Sequence, residues 1–309
     1  MICGNFLDIA TRTAGKTLAP VAAAAALVFG GGTAAPTWAL DLDADDYAAG
    51  AVPEGTTLAL LYYQYAKRTG VYADGNKVAD GDLTSNVGIL RVAHFVKIGP
   101  FLADPQFLLP FGRLEGTGNL DGLGTAEGIG DLILTSTFWL YNRPEDGVFF
   151  GVTPAVFVPT GNYDGGEALN LGENRWKYML QAAGTFPLFT PDLSVQLSAD
   201  VTFFGDNNDL GPNSDTLSQK PLGQFQAWLR YSVTPDFDLR AGVNHFIGGE
   251  TEINGIAQNN EVSTTNFRVG FGWSFAPSWN LVALYGNDAA VENGLREGDR
   301  INLRFMKAF

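Results

Sequence analysis

In the stretch STTNFRVGFGWSF, Thr265, Phe267, Val269, Phe271, Trp273 and Phe275 share one parity, while Asn266, Arg268, Gly270, Gly272 and Ser274 share the other. A period of two is the signature of a β-strand with one apolar and one polar face. DLSVQLSADVTFF repeats it, setting Leu193, Val195, Leu197, Ala199, Val201 and Phe203 against Ser194, Gln196, Ser198 and Asp200. So does the end of the chain, RINLRFMKAF, where Ile301, Leu303, Phe305 and Phe309 alternate with Asn302 and Arg304. The pattern predicts twelve strands, near 56–66, 85–98, 105–113, 128–141, 147–158, 175–187, 192–204, 220–233, 236–247, 263–275, 279–287 and 299–309. Those near 56–66, 105–113 and 147–158 are apolar on both faces, which leaves their orientation open.

The connections sort by parity. After strands two, four, six, eight and ten they are short and turn-like: GPFLAD, NRPEDG, FTPD, TPD and APS. After the odd-numbered strands they run to about ten residues or more and are rich in Gly, Asn and Asp, the layout of a transmembrane antiparallel up-and-down β-barrel. Lipid cannot satisfy unpaired backbone groups, so such a sheet must close on itself. A secreted β-sandwich also alternates, but it has no reason to sort connection lengths by parity. The reading is therefore an all-β barrel with short periplasmic turns, long extracellular loops and both chain ends on the periplasmic side. RINLRFMKAF becomes the closing strand, with Phe305 and Phe309 facing lipid, and it resembles the C-terminal signal by which outer-membrane barrels are recognised for insertion. Trp139, Tyr141, Trp176, Tyr178, Trp228, Tyr231, Trp273, Trp279 and Tyr285 lie near strand ends, where aromatic girdles are expected.

Composition supports a membrane barrel. Charged residues make up 17% of the 309, against about 25% in soluble domains. Past the N-terminal region no run of 18 apolar residues offers a helical span. A net charge of -14 argues against nucleic acid as a partner. Arg12 and Lys16, the apolar run 18–29 and the small residues before Ala39 predict a signal peptide over 1–39. A membrane anchor is the alternative, for which the run is short. Cleavage would remove Cys3, the only cysteine, so neither disulfides nor cysteine metal sites are expected. Residues 40–55 are expected as a periplasmic N-terminal segment and 56–309 as the barrel.

On the wet faces, parity places Arg91, Arg175, Lys177, Arg230, Arg240, Arg268 and Arg304 with Asp131, Asp200 and Asp238. Seven bases face three acids in that set, although the whole chain is acidic. Two readings follow: a cationic constriction that attracts anionic solutes, or Arg–Asp pairs that brace a narrow lumen. Acids concentrate in the outer loops (Glu115, Asp121, Asp164, Glu173, Asp209 and Glu250 among them), where they solvate the loops or meet surface lipopolysaccharide through divalent cations. His94 and His245 raise a lipid hydrolase as a third class, but the residues two further on are Val96 and Ile247, not a serine nucleophile.

Three stretches, GIGDL (128–132), VPTGNYD (158–164) and LGENRW (171–176), resemble the outer-membrane transporter family associated with the meta pathway of phenol degradation. The resemblance spans roughly 50–309 and implies uptake of aromatic or other hydrophobic compounds. It supplies no catalytic residues, and no cofactor or metal is expected. The function expected is passive or facilitated uptake of small hydrophobic or aromatic molecules, anionic ones included. A non-conducting surface-binding or structural barrel is the alternative. The partners expected are outer-membrane lipid and lipopolysaccharide, the barrel-assembly machinery and a small-molecule solute.

Overall fold

The computed structural model describes residues 41–309; the predicted signal peptide, 1–39, lies outside the described residues. Twelve long strands form the wall: β1 (Thr57–Ala73), β2 (Asn76–His94), β3 (Phe101–Thr117), β4 (Leu132–Arg143), β5 (Val148–Val158), β6 (Lys177–Leu188), β7 (Thr190–Phe204), β8 (Leu222–Thr234), β9 (Phe237–Gly248), β10 (Val262–Ala276), β11 (Trp279–Val291) and β12 (Gly294–Ala308). Each pairs antiparallel with its sequence neighbours, and β12 pairs with β1 from Leu58↔Ala308 to Tyr72↔Gly294, which closes the sheet. Phe309 extends the seam, because it and Thr57 exchange both backbone hydrogen bonds.

Alternation sets which side chain meets which solvent. On β12, Ile301 and Phe305 lie exposed outside while Asn302 and Arg304 are buried inside. The outer surface carries Leu61, Leu134, Leu180, Leu229, Val243 and Val269, on β1, β4, β6, β8, β9 and β10. So wide an exposed apolar belt suits a bilayer and not water. Tyr141, Trp176, Tyr178, Tyr231, Trp273, Trp279 and Tyr285 are on that outer face, but Trp139 and Trp228 point inward. Trp139 packs edge-on against Tyr47 at 5.6 Å between ring centroids. Trp228 lies opposite Gly242, where a Cβ would come within 2.4 Å of the indole. Strand-end position alone does not fix an aromatic's side; parity does.

Two outer connections are much shorter than the sequence suggests. β1 and β2 run on to a two-residue turn, Asp74 and Gly75 with φ of 50° and 73°, and β11 and β12 meet across Glu292 and Asn293. Positive φ at both central residues is the hairpin turn that Asp-Gly favours. Beyond the membrane neither face of a strand meets lipid, so the alternation that marks strands fades there. The other outer loops are long. Parts of two of them, Asn207–Leu210 with Asp215–Gln219 and Thr251–Ile253 with Ile256–Ala257, form a separate four-stranded sheet.

The largest departure concerns the segment expected in the periplasm, 40–55. Its described residues leave the periplasmic rim at Thr56 and turn back into the barrel, with a short 3-10 helix over Asp46–Ala51. Leu42 and Tyr47 are buried against the inward-facing Trp139, Phe149 and Ala183.

Candidate functional site

The lumen has two unlike walls. Along β1 to β6 the inward residues are mainly apolar and form stacked clusters. Val71, Leu83 and Leu114 pack at the outer end with Leu120, Leu123, Leu169 and Leu171 of the loops. Val87, Ile89, Leu108, Ile133, Phe157 and Met179 pack midway. Leu58, Leu60, Ala93 and Phe95 pack at the periplasmic end, with Ala49 and Val52 of the inner segment against them. This explains why strands near 56–66, 105–113 and 147–158 read as apolar on both faces: one face meets lipid and the other this apolar arc.

Along β8 to β12 the inner wall is charged, and the acids of the inner segment meet it. Asp41 Oδ2 accepts from Arg268 at 2.6 Å and pairs with Arg300 at 3.0 Å. Asp45 receives two bonds from Arg240 (2.9 and 3.0 Å) and two from Arg304 (2.9 and 2.8 Å). Asp43 also pairs with Arg304 at 3.1 Å, and Asp46 with Arg91 at 3.1 Å across the lumen. The backbone is held as well: Tyr47 N donates to Gln196 at 2.8 Å, Gln196 Nε2 to Asp43 O at 2.8 Å, and Asn142 Nδ2 to Gly50 O at 2.6 Å. Tyr47 Oη lies 2.5 Å from Thr153 Oγ1 and donates to Gln181 at 3.1 Å. The segment therefore reaches the wall from β2 round to β12. Charges this buried are tolerable only when paired and hydrogen-bonded.

The sequence-selected residues fall into two groups. Arg91, Asp200, Arg230, Asp238, Arg240, Arg268 and Arg304 face the lumen within strands. Arg230 Nε donates to Asp238 at 2.9 Å, Asp238 also accepts from Arg240 at 2.5 Å, and Asp200 accepts from Gln181 at 3.2 Å. Asp131 and Arg175 precede β4 and β6 instead and belong to a loop knot, which Lys177 joins from the first position of β6. The knot unites the three resemblance motifs. Asp131 accepts from Gly161 N at 3.0 Å and Glu173 N at 2.9 Å, and Asn162 Oδ1 from Ile129 N at 2.7 Å. Gly161 and Gly172 touch, a Cβ on Gly161 falling 2.7 Å from Gly172 Cα, so no larger residue fits. Phe305 lies on the lipid face, 45% exposed, and Phe309 at the rim, 73% exposed. Sequence reasoning missed Asp41, Asp43, Asp45, Asp46 and Arg300, and also the buried Arg68–Glu297 pair at 2.9 Å.

Glu173 carries the knot's charge balance. Burial opposes its ionisation, but Lys177 and Arg175 outweigh that and hold its carboxyl down to about 2. A depressed carboxyl stabilises fully above its unfolded value of 4.5 and loses that contribution as pH falls through about 2. Pepsin is therefore expected to spare the 159–176 loop at about pH 4 and to cut it near pH 2, whereas Glu173→Gln should be cut at both. Equal resistance of the two chains at pH 4 would count against the knot.

On the lipid face, His94 Nδ1 sits 3.0 Å from Thr57 Oγ1 and His245 Nδ1 2.9 Å from Thr265 Oγ1. Each histidine thus meets a cross-strand threonine.

No curated protein matches the sequence. Among solved structures, the COG4313 outer membrane channel from Pseudomonas putida F1 is similar at 42% identity, with a TM-score of 0.83, over 87% of this chain and 100% of that one. The β domain of the Bordetella autotransporter BrkA, at 10% identity and a TM-score of 0.50, covers 83% of this chain and 100% of its own, and shares the barrel fold alone. A family model described as "Putative MetA-pathway of phenol degradation" matches residues 66–305. With the lipid-facing belt and the closed sheet, these matches identify an outer-membrane β-barrel channel of a Gram-negative bacterium. The chain belongs to the family of the MetA pathway of phenol degradation.

Proposed function

We propose that this channel admits small hydrophobic or aromatic molecules passively, along the apolar arc of its lumen. The observation that carries the reading is the stack of apolar clusters from the outer loops to the periplasmic rim, whose buried members all lie on β1 to β6 and their loops. A pore for hydrophilic solutes has no use for such a wall, whereas an apolar solute loses little on leaving the membrane surface for it. The charged arc opposite is the bracing structure: its arginines hold the inner segment, and the segment narrows the path. This reading joins the two sequence-level alternatives for the lumen arginines, with bracing as their first role. Barrel assembly through the C-terminal Phe305 and Phe309 belongs to the same proposal.

The test uses intact cells, because an apolar probe crosses bare phospholipid unaided. N-phenylnaphthylamine, an uncharged aromatic dye that lipopolysaccharide excludes, is expected to enter faster when the full chain is present in the outer membrane. The Leu108→Asp variant, which puts a charge in the middle cluster, is expected to slow that gain. Equal dye entry with and without the protein would defeat the proposal.

A further inference from the structure

Five of the lumen ion pairs form one alternating chain. Arg230 pairs with Asp238, Asp238 with Arg240, Arg240 with Asp45, Asp45 with Arg304, and Arg304 with Asp43. Arg240 and Arg304 each have at least two acidic partners, and Asp238 and Asp45 each serve two arginines. Arg230 differs: it bonds through Nε alone, and its two terminal nitrogens meet no protein acceptor among the described residues. Its side chain is 31% exposed, against 0% for Arg240 and 4% for Arg304. The cationic end of the chain is therefore the uncommitted one.

Arg230 borders a cavity of about 560 Å³ at the periplasmic end, beneath the inner segment. The volume lies within the range of roughly 300–1,000 Å³ usual for small-molecule sites. On the far side stand Leu58, Leu60, Phe95 and Met306, on or beside β1, β2 and β12, with Val52 of the inner segment. The acids on its border are already engaged: Asp45 by Arg240 and Arg304, Asp46 by Arg91, and Asp104 by Thr137 N at 2.7 Å and Gln106 at 3.0 Å. What the cavity offers a guest is an apolar wall and, opposite, a guanidinium edge with donors only.

We propose that this cavity is a binding station for an amphiphile with an apolar or aromatic body and a carboxylate head, the head seated on the terminal nitrogens of Arg230. A carboxylate there continues the alternation of charge by one more member and takes the planar two-point geometry that arginine favours. The proposal rests on the uptake reading and sharpens it: the solute on its way to the periplasm is an organic acid, not only an apolar molecule.

Three fluorinated probes of one shape test it by fluorine NMR on the full chain in lipid nanodiscs: 4-(trifluoromethyl)benzoate, the matching benzamide and the matching benzylamine. Benzoate is expected to bind saturably and at least about tenfold more tightly than the amide, with the amine weaker still. Arg230→Gln should remove the preference of benzoate over amide, and Arg230→Lys should restore part of it. Asp238 keeps Arg240 as a partner in either variant, and heat-modifiable migration confirms that each barrel is folded. Equal binding of benzoate and amide, tighter binding of the amine, or a preference that survives Arg230→Gln each overturns the proposal. The comparison of probes on the unaltered chain decides the matter even if a variant fails to fold. Faster dye entry in cells, together with no preference for benzoate, would leave the uptake reading standing and remove this one.

Discussion

Removing residues 41–52 is expected to turn a narrow, braced lumen into a wide pore selective for anions. The deletion takes away Asp41, Asp43, Asp45 and Asp46, four negative charges, and leaves Arg91, Arg240, Arg268, Arg300 and Arg304 on the wall. The sheet itself does not depend on the segment, since β12 closes onto β1 through its own ladder. Twelve strands enclose more space than the eight whose interiors side chains fill, so the vacated volume takes up water. Single-channel conductance is expected to rise severalfold, with the permeability ratio moving toward anions. Triple replacement of Asp41, Asp45 and Asp46 by Asn should move both quantities the same way without shortening the chain. Unchanged conductance and selectivity in both variants would show that the segment does not narrow the path.

A single change at Asp45 should have the next largest effect. Its carboxylate serves Arg240 and Arg304, whose side chains are 0% and 4% exposed. Removing one member of a buried pair leaves an uncompensated charge and costs about 3–5 kcal/mol. Arg240 keeps Asp238 and Arg304 keeps Asp43, so the lower end, about 3 kcal/mol, is expected for Asp45→Ala. The loss falls on docking of the segment, not on the wall. With Ala49→Cys as a reporter in a Cys3→Ser background, labelling by a water-soluble maleimide should accelerate by about a hundredfold, since 1.4 kcal/mol is a factor of ten. Asp82→Ala is the control, because it breaks the exposed Lys67–Asp82 pair at 3.0 Å and should leave labelling unchanged. Equal labelling with Asp45 present and absent would mean that these ion pairs do not hold the segment.

Much of the barrel was legible because lipid outside and a polar lumen inside impose opposite demands on alternate residues. The twelve-strand barrel, its short periplasmic turns and the lipid-facing side of Phe305 all follow from that demand. Where the demand lapses, reading fails. The Asp74–Gly75 hairpin stands beyond the membrane, where the alternation reads as loop, and Asp131 and Arg175 read by parity as strand residues although they tie loops together. Trp139 and Trp228, expected near strand ends with the girdle aromatics, face inward, where a partner such as Tyr47 or Gly242 makes room, and Trp228 stands at the middle of β8.

The inner segment left a different trace. Its sequence, DLDADDYAAGAV, has no clear period and follows the predicted signal peptide, so it reads as a linker. Yet the inward-facing set held seven bases and three acids. A buried lumen cannot carry such an excess without partners. The missing acids had to come from outside the strands, and the nearest dense cluster is Asp41, Asp43, Asp45 and Asp46. Charge balance, not hydropathy, was the signal.

The decisive measurement is a cross-link between Ala49→Cys of the inner segment and Leu102→Cys of β3, which flank one buried cluster. It is made with a short bifunctional maleimide on intact cells in a Cys3→Ser background. A segment seated inside a closed barrel gives a cross-linked chain whose folded form still migrates as a barrel, and Asp45→Ala sharply lowers the yield. Free reaction of both cysteines without cross-linking would place the segment in the periplasm and contradict the account.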